Sequence, residues 1–362
     1  MSVKVKKRII TTAAVIPALG ILVVVFGIIV FPRAELPALV EEDFCERYHI
    51  RFDASSLEQI FLEPESIIAD PERFLDEDQA YQLLAEHRAR VNDSFPYQAW
   101  LKDIEKIASQ PEDRRKQRIP FRLYQLISTY KQSFCREVAE NVWTYLPDGT
   151  DLDVRIYLTA YERSAPAYSR PGEIAISLSH PLFTNPAWID ESTGLSAFFN
   201  LGLHEFYHIG FAEVFDPPGE EEMRKNEIVL DVLSVLQNEG VATYISHQMM
   251  LDYPTPFEWF VYLVDRESIV RIYLGELNEI LEEGSPPPPL GRAYTQIYRR
   301  IGSVGYRLKG LNIVGGYMAM KIDEAYGKET LVQTVNEGFF SFAEIYNTTA
   351  DEEMKIVWEV VP

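Results

Sequence analysis

The chain has 362 residues, 47% of them apolar and 25% charged, a balance that supports one large folded domain or two modest ones. Five of its 34 basic residues and none of its 55 acidic ones fall in residues 1–33, which leaves 29 against 55 for the rest, a net charge of −26. Such a surface has no phosphate-neutralising patch, which excludes nucleic acid as a partner and argues against docking on anionic headgroups.

Lys4, Lys6, Lys7 and Arg8 precede a run from Ile9 to Phe31 without a charge. A helix over residues 9–31 reaches about 34 Å at about 1.5 Å per residue, slightly more than the roughly 30 Å hydrocarbon core of a bilayer. A cleaved secretory signal has a shorter apolar stretch, about 7 to 15 residues, and a small-x-small cleavage site. The sequence from Arg33 to Ala38 matches that site poorly. The run is therefore read as a single transmembrane anchor, with residues 1–8 in the cytoplasm and the rest outside the cell membrane. Cys45 and Cys135 would then sit where a disulfide persists. An isolated pair has no framework spacing, so two buried thiols fit the sequence equally well.

Residues 32–54 read as an extended stalk and 55–145 as a helical lobe, with apolar residues at helical spacing and Pro71, Pro96, Pro111 and Pro120 dividing it. After the turn signal Leu146-Pro147-Asp148-Gly149 the period becomes two: Leu152, Val154, Ile156 and Leu158 alternate with more polar neighbours. A second strand over 173–179 follows Pro171-Gly172, and the two should form a small sheet. Helices are expected over 196–215 and 221–250, then over 257–283, 291–309, 314–326 and 328–347. Between them the prolines 286–289 read as a stiff surface loop.

Within Leu201-Gly202-Leu203-His204-Glu205-Phe206-Tyr207-His208 two histidines stand four residues apart. On a helix both imidazoles then share a face and can share one ion, with Glu205 able to reach a water beside it. Zinc suits that donor set, and a catalytic zinc site uses three protein ligands with the fourth position open. Two core histidines on a buried helix are the plainer alternative. It leaves the Glu205 carboxylate buried between two histidines in a stretch, Phe198 to Phe211, that is otherwise uncharged, which is costly unless something pairs with it.

At these residues the chain resembles the zincin metallopeptidases, which carry HExxH on a helix beneath a small sheet whose edge strand lines the substrate cleft. The metzincin branch is excluded, since its later Gly and His positions hold Phe211 and Val214. The gluzincin branch takes its third ligand from a Glu on the next helix, and Gln237-Asn238-Glu239-Gly240-Val241-Ala242 looks like that element. With Val314 to Ala319 and Glu324 to Glu329 it is also similar to little-characterised bacterial zinc-dependent peptidase families. The resemblance implies His204, His208 and Glu239 as zinc ligands, with Asp231 and Glu227 as rivals for the third place. It implies Glu205 as the catalytic base, and Asp231 and Asn238 as groups that orient a ligand. Tyr317 is the first choice for the oxyanion-stabilising residue, with Tyr306, His180 and His247 behind it.

The fold expected is α+β and predominantly helical: a zincin-like catalytic domain over 146–362 with a small β-sheet, preceded by the lobe and the anchor. The expected function is zinc-dependent hydrolysis of amide bonds in a peptide or protein substrate outside the cytoplasm. A membrane-tethered scaffold keeping the fold without turnover is the other reading, and the complete HExxH disfavours it.

Overall fold

The computed structural model describes residues 36–90, 97–161, 166–184, 191–215, 227–250, 266–283 and 310–358. The charge-free run 9–31, the proline loop and the helix expected over 291–309 lie outside those residues. Among the described residues no helix is long and apolar enough to cross a membrane.

The architecture is α+β and predominantly helical, around a four-stranded sheet of order β1-β2-β4-β3. The strands are β1 Ile50–Asp53, β2 Val154–Thr159, β3 Ala167–Arg170 and β4 Glu173–Ser177. β1 and β4 both pair with β2 in parallel, whereas β3 pairs antiparallel with β4. Expected strands β2 and β4 are present. Two more join them: β3 is the first arm of a hairpin about Pro171-Gly172, where Gly172 takes φ +74°, as the third position of a type II turn requires. β1 lies in the segment read as an extended stalk, and the described part of that segment, residues 36–54, is folded onto the body instead. Ser133 Oγ donates to the Ala38 carbonyl, β1 joins the sheet, and Cys45 is bonded to Cys135 with their Cα atoms 5.1 Å apart. That link spans 90 residues, and in the chain-entropy account a loop of such length is worth roughly 4 to 5 kcal/mol.

The lobe consists of α1 Ser55–Leu62, α2 Pro64–Ala69, α3 Pro71–Glu77, α4 Gln79–Arg90, α5 Tyr97–Ala108, α6 Glu112–Lys116 and α7 Ile119–Glu137. Prolines open several of these helices, at the first turn of α2, α3 and α7 and at the N-cap of α6, where a missing N–H costs nothing. Then come α8 Glu191–Val214, α9 Glu227–Met250, α10 Arg266–Glu283, α11 Gly310–Tyr326, α12 Lys328–Glu337 and α13 Phe339–Thr349. The single helix expected over 328–347 is two, because Gly338 takes φ +89° and breaks the α-helical path.

One hydrophobic core runs through the lobe, the sheet and the later helices. β2 and β4 are buried along nearly their whole length, as strands covered on both faces are. Along β3 the side chains alternate. Ser169 meets α8 and Arg170 meets α4, so these helices cover opposite faces of the sheet.

Two contacts seat α8, the helix that carries HEFYH. The Phe134 ring of α7 rests on Gly202 and the Leu146 side chain on Gly210, each so close that a Cβ would collide. Phe134 neighbours the disulfide at Cys135, and its ring also packs against Phe198, Phe199 and Phe206.

Candidate metal centre

α8 and α9 pack side by side and α11 crosses α9 at a pair of glycines. A methyl placed on Gly240 would stand 2.4 Å from the Gly315 carbonyl carbon, and one on Gly315 would stand 2.1 Å from the Leu236 carbonyl oxygen. The two backbones are thus in direct contact, which explains Gly240 and Gly315. Gly315→Ala is expected to cost about 1 to 3 kcal/mol of stability, since only a shift of the helices relieves the clash. A thermal melt should show a loss of roughly 1 to 2 °C per kcal/mol. Gly275→Ala, with open space around it, is the control and should not lower the midpoint.

That packing gathers three donors. His204 Nε2 and His208 Nε2 are 3.0 Å apart, and the Glu239 carboxylate lies 3.4 Å from the first and 3.7 Å from the second. Among the described residues this is the group of three able to hold a metal ion. Ligands about 2.0 to 2.1 Å from one zinc at tetrahedral angles stand about 3.3 Å from each other, so the spacing fits that ion. The hydrogen bonding agrees. His208 Nδ1 faces Asn238 Oδ1 at 2.9 Å, an acceptor, so the ring donates there and its Nε2 lone pair points at the cluster. Two imidazole nitrogens and a carboxylate facing one another in this way are a cation's donor set. The side chains keep 14% exposure for each histidine and 26% for Glu239, so the three are not sealed from solvent.

Glu239 is held from the far side as well. Asn312 Nδ2, on α11, donates to Glu239 Oε2 at 2.5 Å and to Thr243 Oγ1 at 3.3 Å. Glu205 follows His204 on α8, and its Oε2 accepts a 2.6 Å hydrogen bond from Ser169 Oγ on β3.

A family model described as "Putative zinc dependent peptidase (DUF5700)" matches residues 76–355. The chain belongs to this family. The match begins inside the helical lobe and takes in β2, β3, β4 and every residue of the cluster, so zinc is the ion to which the donor set answers. No curated protein and no solved structure matches the chain.

The structure brings together four of the residues singled out from the sequence, His204, His208, Glu239 and Asn238, and Glu205 stands next to His204 on α8 with its carboxylate bonded to Ser169. Asp231 is half-buried on α9, two turns before Glu239, and is not part of the cluster of three. Glu227's side chain, His247's side chain and Tyr306 lie outside the described residues. Tyr317 is placed elsewhere. It is five residues beyond Asn312 on α11, about 140° around the helix. Its ring meets Tyr346, with Lys321 Nζ over its face, and burial raises its phenol above the ordinary value. His180 caps a single helical turn, accepting the Leu182 N–H at Nδ1.

Ser169 and Asn312 were not singled out from the sequence. Strand symmetry about Pro171-Gly172 was a usable signal for β3 and hence Ser169. Asn312 is 73 positions from Glu239 and has no local signal.

Proposed function

We propose that this member of the family is a membrane-anchored, extracytoplasmic zinc peptidase in which Glu205 is the general base. The observation that carries the reading is the joint placement of His204, His208 and Glu239 around one point, with Glu205 next to His204 on α8 and bonded to Ser169 rather than counted among the three.

His204, His208 and Glu239 would hold the zinc, which when bound supplies Lewis acidity to a water and to the scissile carbonyl. Glu205 takes the proton of the attacking water and returns it to the leaving nitrogen. β3 ends the sheet beside Glu205, and the edge of a sheet accepts an extended peptide through main-chain hydrogen bonds. A peptide or protein substrate fits that edge.

Zinc-loaded protein should cleave members of a quenched peptide library, lose the activity to a chelator and regain it with added zinc. Stoichiometric zinc with no cleavage of any library member would replace the peptidase with the scaffold reading.

The location draws on two features: the charge-free run 9–31 behind its basic leader and the Cys45–Cys135 disulfide, a bond rare in reducing compartments. Protease shaving of intact cells should therefore digest residues 34–362 and leave a membrane-retained stub. A body protected under conditions that digest extracytoplasmic controls would overturn the anchored topology.

A further inference from the structure

We propose that Ser169 is a positioning residue for Glu205, so that the base is set by the edge strand as well as by the metal helix. The proposal rests on the peptidase reading and adds where the carboxylate is held from. Ser169 Oγ donates to Glu205 Oε2 at 2.6 Å, a length typical of a hydroxyl bonded to a carboxylate. Donor and acceptor come from different elements, β3 and α8, 36 positions apart.

The strand that presents Ser169 is itself pinned. Arg170 Nη1 is 2.5 Å from Glu86 of α4, and its Nε donates to Glu173 of β4 at 2.6 Å. Arg170 and Glu173 are directly opposed in the β3–β4 register. Neighbouring strand residues face opposite sides, so Arg170 grips the lobe side while Ser169 reaches the metal side. The hydroxyl is thus a fixed donor on a rigid strand.

Glu205 needs such a donor. Helix geometry places the Glu205 backbone, but three side-chain torsions separate it from the carboxylate, and the last of these is broad. The bond to Ser169 selects one carboxylate plane. Because β3 is also the strand along which an extended substrate would lie, substrate and base share one support. Losing a charge-assisted bond of this kind corresponds to roughly 10- to 100-fold in rate if it acts only on the reacting geometry.

The test compares zinc-loaded wild type, Ser169→Ala and Ser169→Thr, each as the full chain in detergent, by high-resolution crystallography and by steady-state kinetics on a library peptide. Expected is one Glu205 conformer in wild type and in Ser169→Thr, which retains the hydroxyl, and a displaced or divided carboxylate in Ser169→Ala. Ser169→Ala should lose roughly 10- to 100-fold in kcat with KM and zinc stoichiometry unchanged, and Ser169→Thr should recover most of it. A Glu205 carboxylate unmoved in Ser169→Ala overturns the proposal, and so does a loss confined to KM or to zinc content. If the wild-type zinc protein cleaves no peptide, the peptidase reading fails by itself. The crystallographic comparison then still decides whether Ser169 holds Glu205.

Discussion

Glu205→Gln is expected to lower kcat by about 10²- to 10⁴-fold, the usual contribution of a positioned general base, while zinc stays bound. On the barrier that is about 3 to 5 kcal/mol. The exchange preserves shape: the glutamine carbonyl can still accept the Ser169 hydroxyl that now bonds Oε2. What it removes is the capacity to take the water's proton. His204, His208 and Glu239, the group of three able to hold the ion, are untouched, so metal content should match wild type. The paired measurement is essential, because His204→Ala would remove zinc and activity together and separate nothing. Wild-type turnover by Glu205→Gln, in a preparation whose activity a chelator abolishes, would remove Glu205 as the base.

Glu239→Ala is expected to weaken zinc binding by more than about 100-fold, beyond the 10- to 100-fold typical of changes to groups that only orient a ligand. The carboxylate 3.4 and 3.7 Å from the histidine nitrogens disappears, while the loss of the acceptor that Asn312 bonds at 2.5 Å bears on stability and not on zinc affinity. Asp231→Ala, outside the cluster of three, should bring at most the smaller change. Competition against a chromogenic chelator gives both affinities, and circular dichroism checks that the variants are folded. Stoichiometric zinc in a folded Glu239→Ala protein would move the third ligand to another carboxylate.

Some of this was determined by the sequence alone, and the reason is range. The spacing of His204 and His208 specifies a shared helix face, since four residues make about one turn, and no distant contact is needed to read it. Period-two alternation marked β2 and the run after Pro171-Gly172 marked β4. Prolines placed helix starts in the lobe because a fixed φ and a missing N–H act on the residue that carries them. That Glu239 belongs beside the two histidines, where the structure places it, was legible only through likeness to a known family.

Only the tertiary structure decided the remainder. β1 and β3 have four residues each, too few for alternation to separate strand from loop, and β1 finds its partner β2 across about a hundred residues. The pairing of Cys45 with Cys135 rests on 5.1 Å between Cα atoms, a distance no spacing states. Helix phase turns Tyr317 toward Tyr346 while Asn312, on the same helix, donates to Glu239. Gly240 and Gly315 belong to two motifs that the sequence displays separately, and their meaning is a single helix crossing. Ser169 reached Glu205 because an edge strand and a helix, each formed by local rules, were brought together by burying the apolar faces of both. Local chemistry writes itself into neighbouring residues. The groups that hold a ligand or a base in position come from wherever packing delivers them.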